Sequence, residues 1–131
     1  MRLTTYPPVH EGQNLGDLLK FEADNLYSRD QVTVAADQVL KLGHVVGRLT
    51  ATGEIAALDP TATDGREIAA GVAIVPITTT TTDPSPDGLI VARHATVADH
   101  ALVWPIRTTP EQRAAATAQL RAIGVLVRRG V

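Results

Sequence analysis

The sequence predicts a mainly β fold: a compact β-rich single domain with one short C-terminal helix and an extended N-terminal arm. Three observations carry that prediction. Short runs rich in Val, Ile and Thr recur along the 131 residues, punctuated by Gly, Pro and Asp. A single segment near the C-terminus combines helical spacing with matched caps. The first 17 residues hold too little apolar surface to pack themselves down. The division that follows is a flexible arm over residues 1–17 and a β-rich domain over residues 18–131.

The arm contains Tyr6-Pro7-Pro8, extended by the fixed φ of proline, and then polar, Gly-containing chain from His10 to Asp17. Two readings stand for it: a frayed terminus, or an arm that orders on a partner by strand addition. Leu19-Lys20-Phe21-Glu22 alternates like a short strand. After turn material at Ser28-Arg29-Asp30, the run Gln31 to Ala35 alternates with β-branched residues and reads as a strand. In residues 39–50, Gly43 and Gly47 lie four apart among β-branched residues, which predicts a tight turn or bulge between short strands. Residues 51–54 form a hairpin turn into Ile55-Ala56-Ala57-Leu58.

Asp59 to Gly65 is loop, with Pro60 unable to donate to a ladder. Ile68 to Ile77 reads as one long buried strand, followed by five threonines, Thr78 to Thr82, of high β propensity. Asp83-Pro84-Ser85-Pro86-Asp87-Gly88 terminates that run. Leu89 to Arg93 and Ala101 to Trp104 are further strands. Thr109 then caps a helix, with Pro110 at the first position and Gln112 completing a T-x-x-Q capping box. Ala116, Leu120 and Ile123 share one face of it; Arg113, Thr117 and Arg121 form the opposite polar stripe. Gly124 is the left-handed stop, and Val125-Leu126-Val127 is a last strand. The count is about seven short strands against one helix.

Composition excludes several classes. The net charge is −2 and no basic run exceeds Arg128-Arg129, so the clustered cationic stripe of a nucleic-acid binder is missing. There is no cysteine, hence no disulfide framework or thiolate site. No apolar stretch approaches the roughly 18 residues that span a bilayer. No apolar segment near Met1 reads as a secretory signal, which makes a cytoplasm the expected place of synthesis. Four aromatics, Tyr6, Phe21, Tyr27 and Trp104, leave little for a stacking surface.

Catalytic constellations are equally sparse. His10, His44, His94 and His100 show none of the spacings that put two metal ligands on one helical face. Ser28 and Ser85 are the only serines, and neither sits in a nucleophile elbow. Asp83/Asp87 and Asp59/Asp64 read as turn formers rather than an acid–base pair. Residues 42–49 are loosely similar to the glycine-spaced hairpin of biotinyl and lipoyl carriers. Those carriers present a lysine at a hairpin tip, and neither Lys20 nor Lys41 is so placed. Trp104-Pro105 has two readings, core packing plus a turn or an anchor in a subunit interface.

Three segments taken together resemble the bacteriophage lambda-type head decoration protein D family. They are Leu26 to Val34; Leu58-Asp59-Pro60-Thr61-Ala62-Thr63-Asp64-Gly65 followed by Ala69-Ala70-Gly71-Val72; and Ala101-Leu102-Val103-Trp104-Pro105 followed by the short helix and final apolar strand. Their order and spacing cover most of residues 18–128, while residues 1–17 match least. The resemblance implies a β-rich capsid decoration protein, not an enzyme and with no cofactor or metal. It would bind as homotrimers at three-fold and quasi-three-fold sites of the expanded head and stabilise the shell against internal DNA pressure. Its partners would be the major capsid protein and its own copies, with no nucleic acid or membrane. Its place would be the outer surface of the virion, after synthesis in the host bacterial cytoplasm.

Carried onto this chain, the capsid-binding arm residues are Tyr6, Pro7, Pro8, Leu18, Leu19 and Phe21. Trp104, Pro105, Leu120 and Ile123 are placed in trimer or core packing. The alternative function is a small β-rich ligand-binding or carrier-like module.

Overall fold

The structure, a computed structural model, describes residues 14–129. Its elements begin with α1 (Leu15–Leu18), β1 (Leu19–Glu22), α2 (Asn25–Ser28), β2 (Arg29–Val34), β3 (Val39–Leu40), β4 (Val45–Arg48) and β5 (Ile55–Ala57). They continue with β6 (Ala69–Ala73), β7 (Ile77–Thr78), β8 (Ser85–Val91), β9 (Ala95–Ala98), a 3-10 turn (Asp99–Ala101), α3 (Pro110–Ala122) and β10 (Val125–Arg128). Strand exceeds helix by 37% to 21%, so the mainly β expectation holds.

Five strands close into a barrel in the order β2-β5-β4-β6-β8. All contacts are antiparallel except β2–β5, where the single parallel pair Val34–Ile55 completes the ring. Closure removes the free strand edges that would otherwise recruit other chains. Beside the barrel stands a three-stranded sheet, β1-β9-β10, and a small ribbon, β3-β7.

The near-continuous apolar runs in β4, β6 and β8 have a simple cause. Successive side chains of a strand point to opposite faces, and here both faces are covered. Val45, Val72 and Val91 enter one core cluster, which they share with Leu18, Val97, Leu120 and Val125. Their neighbours Val46, Ala73 and Ile90 enter a second cluster with Val34, Leu40 and Ile55. The barrel thus packs its outer side against α1, α3 and the β1-β9-β10 sheet.

Helix α3 forms where the capping signals place it. The Thr109 side chain accepts from Gln112 N–H at 3.1 Å, and Gln112 Oε1 accepts from Thr109 N–H at 3.0 Å. Ala116 and Leu120 are its buried residues. Gly124 adopts φ +89°, a conformation open to glycine without strain, and turns the chain into β10. Gln119 Oε1 accepts from Ala69 N–H at 2.8 Å, which ties the helix to the start of β6.

Several expectations are corrected. Ser28-Arg29-Asp30 is not a turn: Ser28 ends α2 and the other two begin β2. The long strand expected from Ile68 to Ile77 is two strands, β6 and β7. Pairing with β8 ends at Ala73, and Pro76, which has no N–H, precedes the separate ribbon. Of the threonine run only Thr78 is strand; Thr79 is buried and donates through Oγ1 to Ala35 O at 2.7 Å. Residues 83–88 do not all stand outside the sheet, because β8 already starts at Ser85. Pro86 is tolerated where the β2–β8 register slips between Val32 and Val34.

Ala101–Trp104 is no strand either. Ala101 closes the 3-10 turn, and one bridge, Val103 to His44, is the segment's β contact. Strand β9, Ala95–Ala98, went unforeseen although it is the centre of its sheet. Ten strands therefore replace the expected seven. The arm expected over residues 1–17 falls mostly outside the described residues. Its last part, Asn14 to Asp17, is a reciprocal capping box at the head of α1.

Candidate functional site

The titratable groups settle into structural roles. His44 Nδ1 accepts the Lys41 N–H at 2.8 Å, and burial pushes its imidazole toward the neutral form. His94 lies edge-on to Tyr27, ring centroids 4.8 Å apart, and His100 is exposed in the 3-10 turn. His10 lies outside the described residues. The Asp59 carboxylate is held below its ordinary range by bonds from the Thr61 hydroxyl and N–H, at 2.7 and 3.0 Å. Among the described residues no group of three or more His, Cys, Asp or Glu could hold a metal ion. What remains is surface, and two parts of it stand out.

The first is the corner built by α1, β1 and α2. β1 is an edge strand: β9 pairs with one side of it and no strand with the other among the described residues. Phe21 on this strand is 63% exposed, and Leu26 and Tyr27 on α2 are 96% and 50% exposed. Two ion pairs tie this apolar corner to the barrel strands. Arg29 grips the Glu22 carboxylate through Nε and Nη2, and its hydrogen bonds depress the Glu22 pKa despite burial. Arg93 spans the Asp30 carboxylate at 2.9 and 2.8 Å, also donates to Tyr27 O, and holds the Asp30 carboxyl below its usual range.

The second is a groove between α3 and the segment that runs from the 3-10 turn to Trp104. Leu102, Trp104, Ala114 and Ala118 line it, with Arg113 and Arg121 on the helix side. The Arg113 guanidinium stands 5.8 Å from the centroid of the half-buried Trp104 ring. Arg129 reaches Asp99 across one end, Nε to Oδ2 3.6 Å.

The residues singled out from the sequence scatter between these surfaces and the interior. Tyr6, Pro7 and Pro8 lie outside the described residues. Leu18 is 0% exposed, so its apolar surface is spent on the domain's own core rather than offered to a neighbour. Leu19 is half-buried against the same cluster, and Phe21 faces outward. Leu120 is fully buried; Trp104 and Ile123 pack on that cluster from its margin. Pro105 accepts the Thr108 hydroxyl and N–H through its carbonyl and shapes the loop before α3. Sequence reasoning missed Leu26 and Tyr27. Their signal was available: an apolar pair that follows Asp24-Asn25, where the Asp24 side chain caps α2 by accepting Leu26 N–H at 2.9 Å.

Residues 8–125 match the family model described as bacteriophage lambda head decoration protein D. No curated protein matches the chain.

Proposed function

Because the chain belongs to the bacteriophage lambda head decoration protein D family, we propose that it binds as homotrimers to the expanded phage head. The family is one of structural capsid decoration proteins, which are not enzymes, and membership implies a place in the virion capsid. In our reading the trimers occupy three-fold and quasi-three-fold sites on the outer surface, contact the major capsid protein, and brace the shell against internal DNA pressure. The protein is made in the host bacterial cytoplasm before it joins the head.

The family match is the observation that carries this reading. The edge strand β1 supports its mechanism. The expected arm, residues 1–17, leads by way of α1 to β1, whose outer edge has no strand partner among the described residues and whose Phe21 is exposed. Strand addition supplies affinity through main-chain hydrogen bonds, while alternate side chains fill pockets in the partner. In this proposal Tyr6, Pro7, Pro8, Leu19 and Phe21 make the arm's contact. Many copies on one shell multiply weak contacts through avidity.

The test is co-sedimentation with expanded and unexpanded shells of the same virus. Truncation should stop at residue 13, since Asn14 and Asp17 cap α1 and Leu18 is core. The shortened protein is expected to stay folded and trimeric and to lose binding to expanded heads. Full binding by that truncation overturns the arm mechanism; equal binding of the intact protein to both shells overturns the preference for the expanded head.

A further inference from the structure

The groove beside α3 has a charge pattern that names its occupant. Its floor is apolar, with Trp104, Ala114 and Ala118, and its helical wall carries Arg113 and Arg121. Both arginines are exposed, and neither has an ion-pair partner among the described residues. Among the described residues the sole carboxylate lining the groove, Asp99, lies at the end held by Arg129. Such a surface fits a short, extended, acidic segment able to lie flat on an aromatic ring. Proline-containing segments do this at low entropic cost, because their backbone is already extended.

The chain carries a segment of this kind whose carboxylates have no ion-pair partner among the described residues. Asp83-Pro84-Ser85-Pro86-Asp87 has two prolines, two carboxylates and no cation. Asp83, Pro84, Pro86 and Asp87 are all exposed. Thr80 and Ser85 hydroxyls accept the Asp83 and Asp87 N–H groups, at 2.9 and 3.3 Å, and hold the segment in shape. Neither carboxylate has an ion-pair partner among the described residues. The segment sits at the barrel rim where Ser85 pairs with Val34 of the second core cluster, whereas the groove lies over the first. No hydrogen bond or ion pair joins the two within one copy, among the described residues.

We propose that residues 83–87 of one copy seat in the Trp104–α3 groove of the next copy. Two different patches paired head to tail close into a ring when the rotation allows it, which is the contact a three-fold assembly requires. This rests on the trimer reading above and specifies which surfaces make it.

Sedimentation equilibrium of charge-reversed variants tests the contact, with circular dichroism as the check on folding. D83K/D87K and R113E/R121E are each expected to weaken self-association about tenfold or more, and the quadruple variant to recover most of it. Trp104, the only tryptophan, should change its emission as the parent assembles and not in the double variants. Should a reversed variant fail to fold, D83N/D87N read by Trp104 emission answers the same question. Double variants that assemble as the parent does overturn the contact and leave the trimer standing. Variants that assemble normally yet no longer bind heads assign the groove to the shell and also overturn it. A parent that stays monomeric at high concentration removes the trimer reading itself.

Discussion

Arg29 holds Glu22 with two nitrogens, its Nε 3.0 Å from Oε2 and its Nη2 on Oε1, while Ser28 Oγ donates to the same carboxylate at 2.8 Å. The pair joins the last residue of β1 to the first of β2, so the strand next to the arm is pinned to the barrel. Both side chains are largely sheltered, 15% and 23% exposed, and Ser28 is fully buried. Fork-to-carboxylate geometry of this kind is directional as well as strong.

Glu22→Gln should therefore cost more than a surface substitution does. It removes the charge and leaves the largely sheltered Arg29 with a weaker acceptor. The expected loss is about 1–3 kcal/mol of unfolding free energy, read as a lower urea midpoint with unchanged slope. A midpoint equal to the parent's would show that the pair contributes nothing net.

Acid should destabilise the protein through this pair and through Asp30–Arg93. Both carboxylates have native pKa values below their ordinary ones, chiefly because of the arginine hydrogen bonds. The native state then binds fewer protons than the unfolded chain in acid, so stability rises with pH there. The contribution is full above the ordinary carboxylate range, near about pH 4, and is lost as pH falls through the depressed native values. Melting temperature across this range checks it: the parent should fall more steeply than the variant carrying both Glu22→Gln and Asp30→Asn.

Two leucines with the same side chain should respond unequally to truncation. Leu120→Ala opens a cavity in the larger core and should cost about 2–5 kcal/mol. Leu26→Ala removes a side chain that is 96% exposed and should leave stability within about 0.5 kcal/mol. Chemical denaturation of both variants decides; a large loss at Leu26 would mean that this corner is covered in the free protein.

Gly47→Ala should be among the most damaging small changes. A Cβ at this position would stand 2.4 Å from Arg66 Cα and 2.5 Å from its carbonyl oxygen, so backbone must move. Gly47 also sits where the β4–β6 register shifts, which leaves little slack. A loss of at least about 2 kcal/mol is expected, comparable to overpacking a core, seen as a lower melting temperature or failure to accumulate in soluble form.

What the sequence determined by itself was everything set within a few residues of chain. The Thr109–Gln112 capping box, the Gly124 stop and the 51–54 hairpin turn are local bonds and local sterics, and each is present; β1 forms as a strand, but a bulge between Leu19 and Phe21 breaks its expected alternation. The apolar run from Ile68 likewise announced the buried strand β6, and Leu89 to Val91 the end of β8. Tertiary structure decided the rest. Pro86 entered a strand because a remote register shift made room for it, and the plain Ala95–Ala98 became a central strand because β1 and β10 lie on either side. Leu18 went inside and Leu26 outside, though both are leucines in one-turn helices. A strand's limits and a side chain's burial depend on which distant segment lies opposite, and that partner is supplied only when the barrel closes.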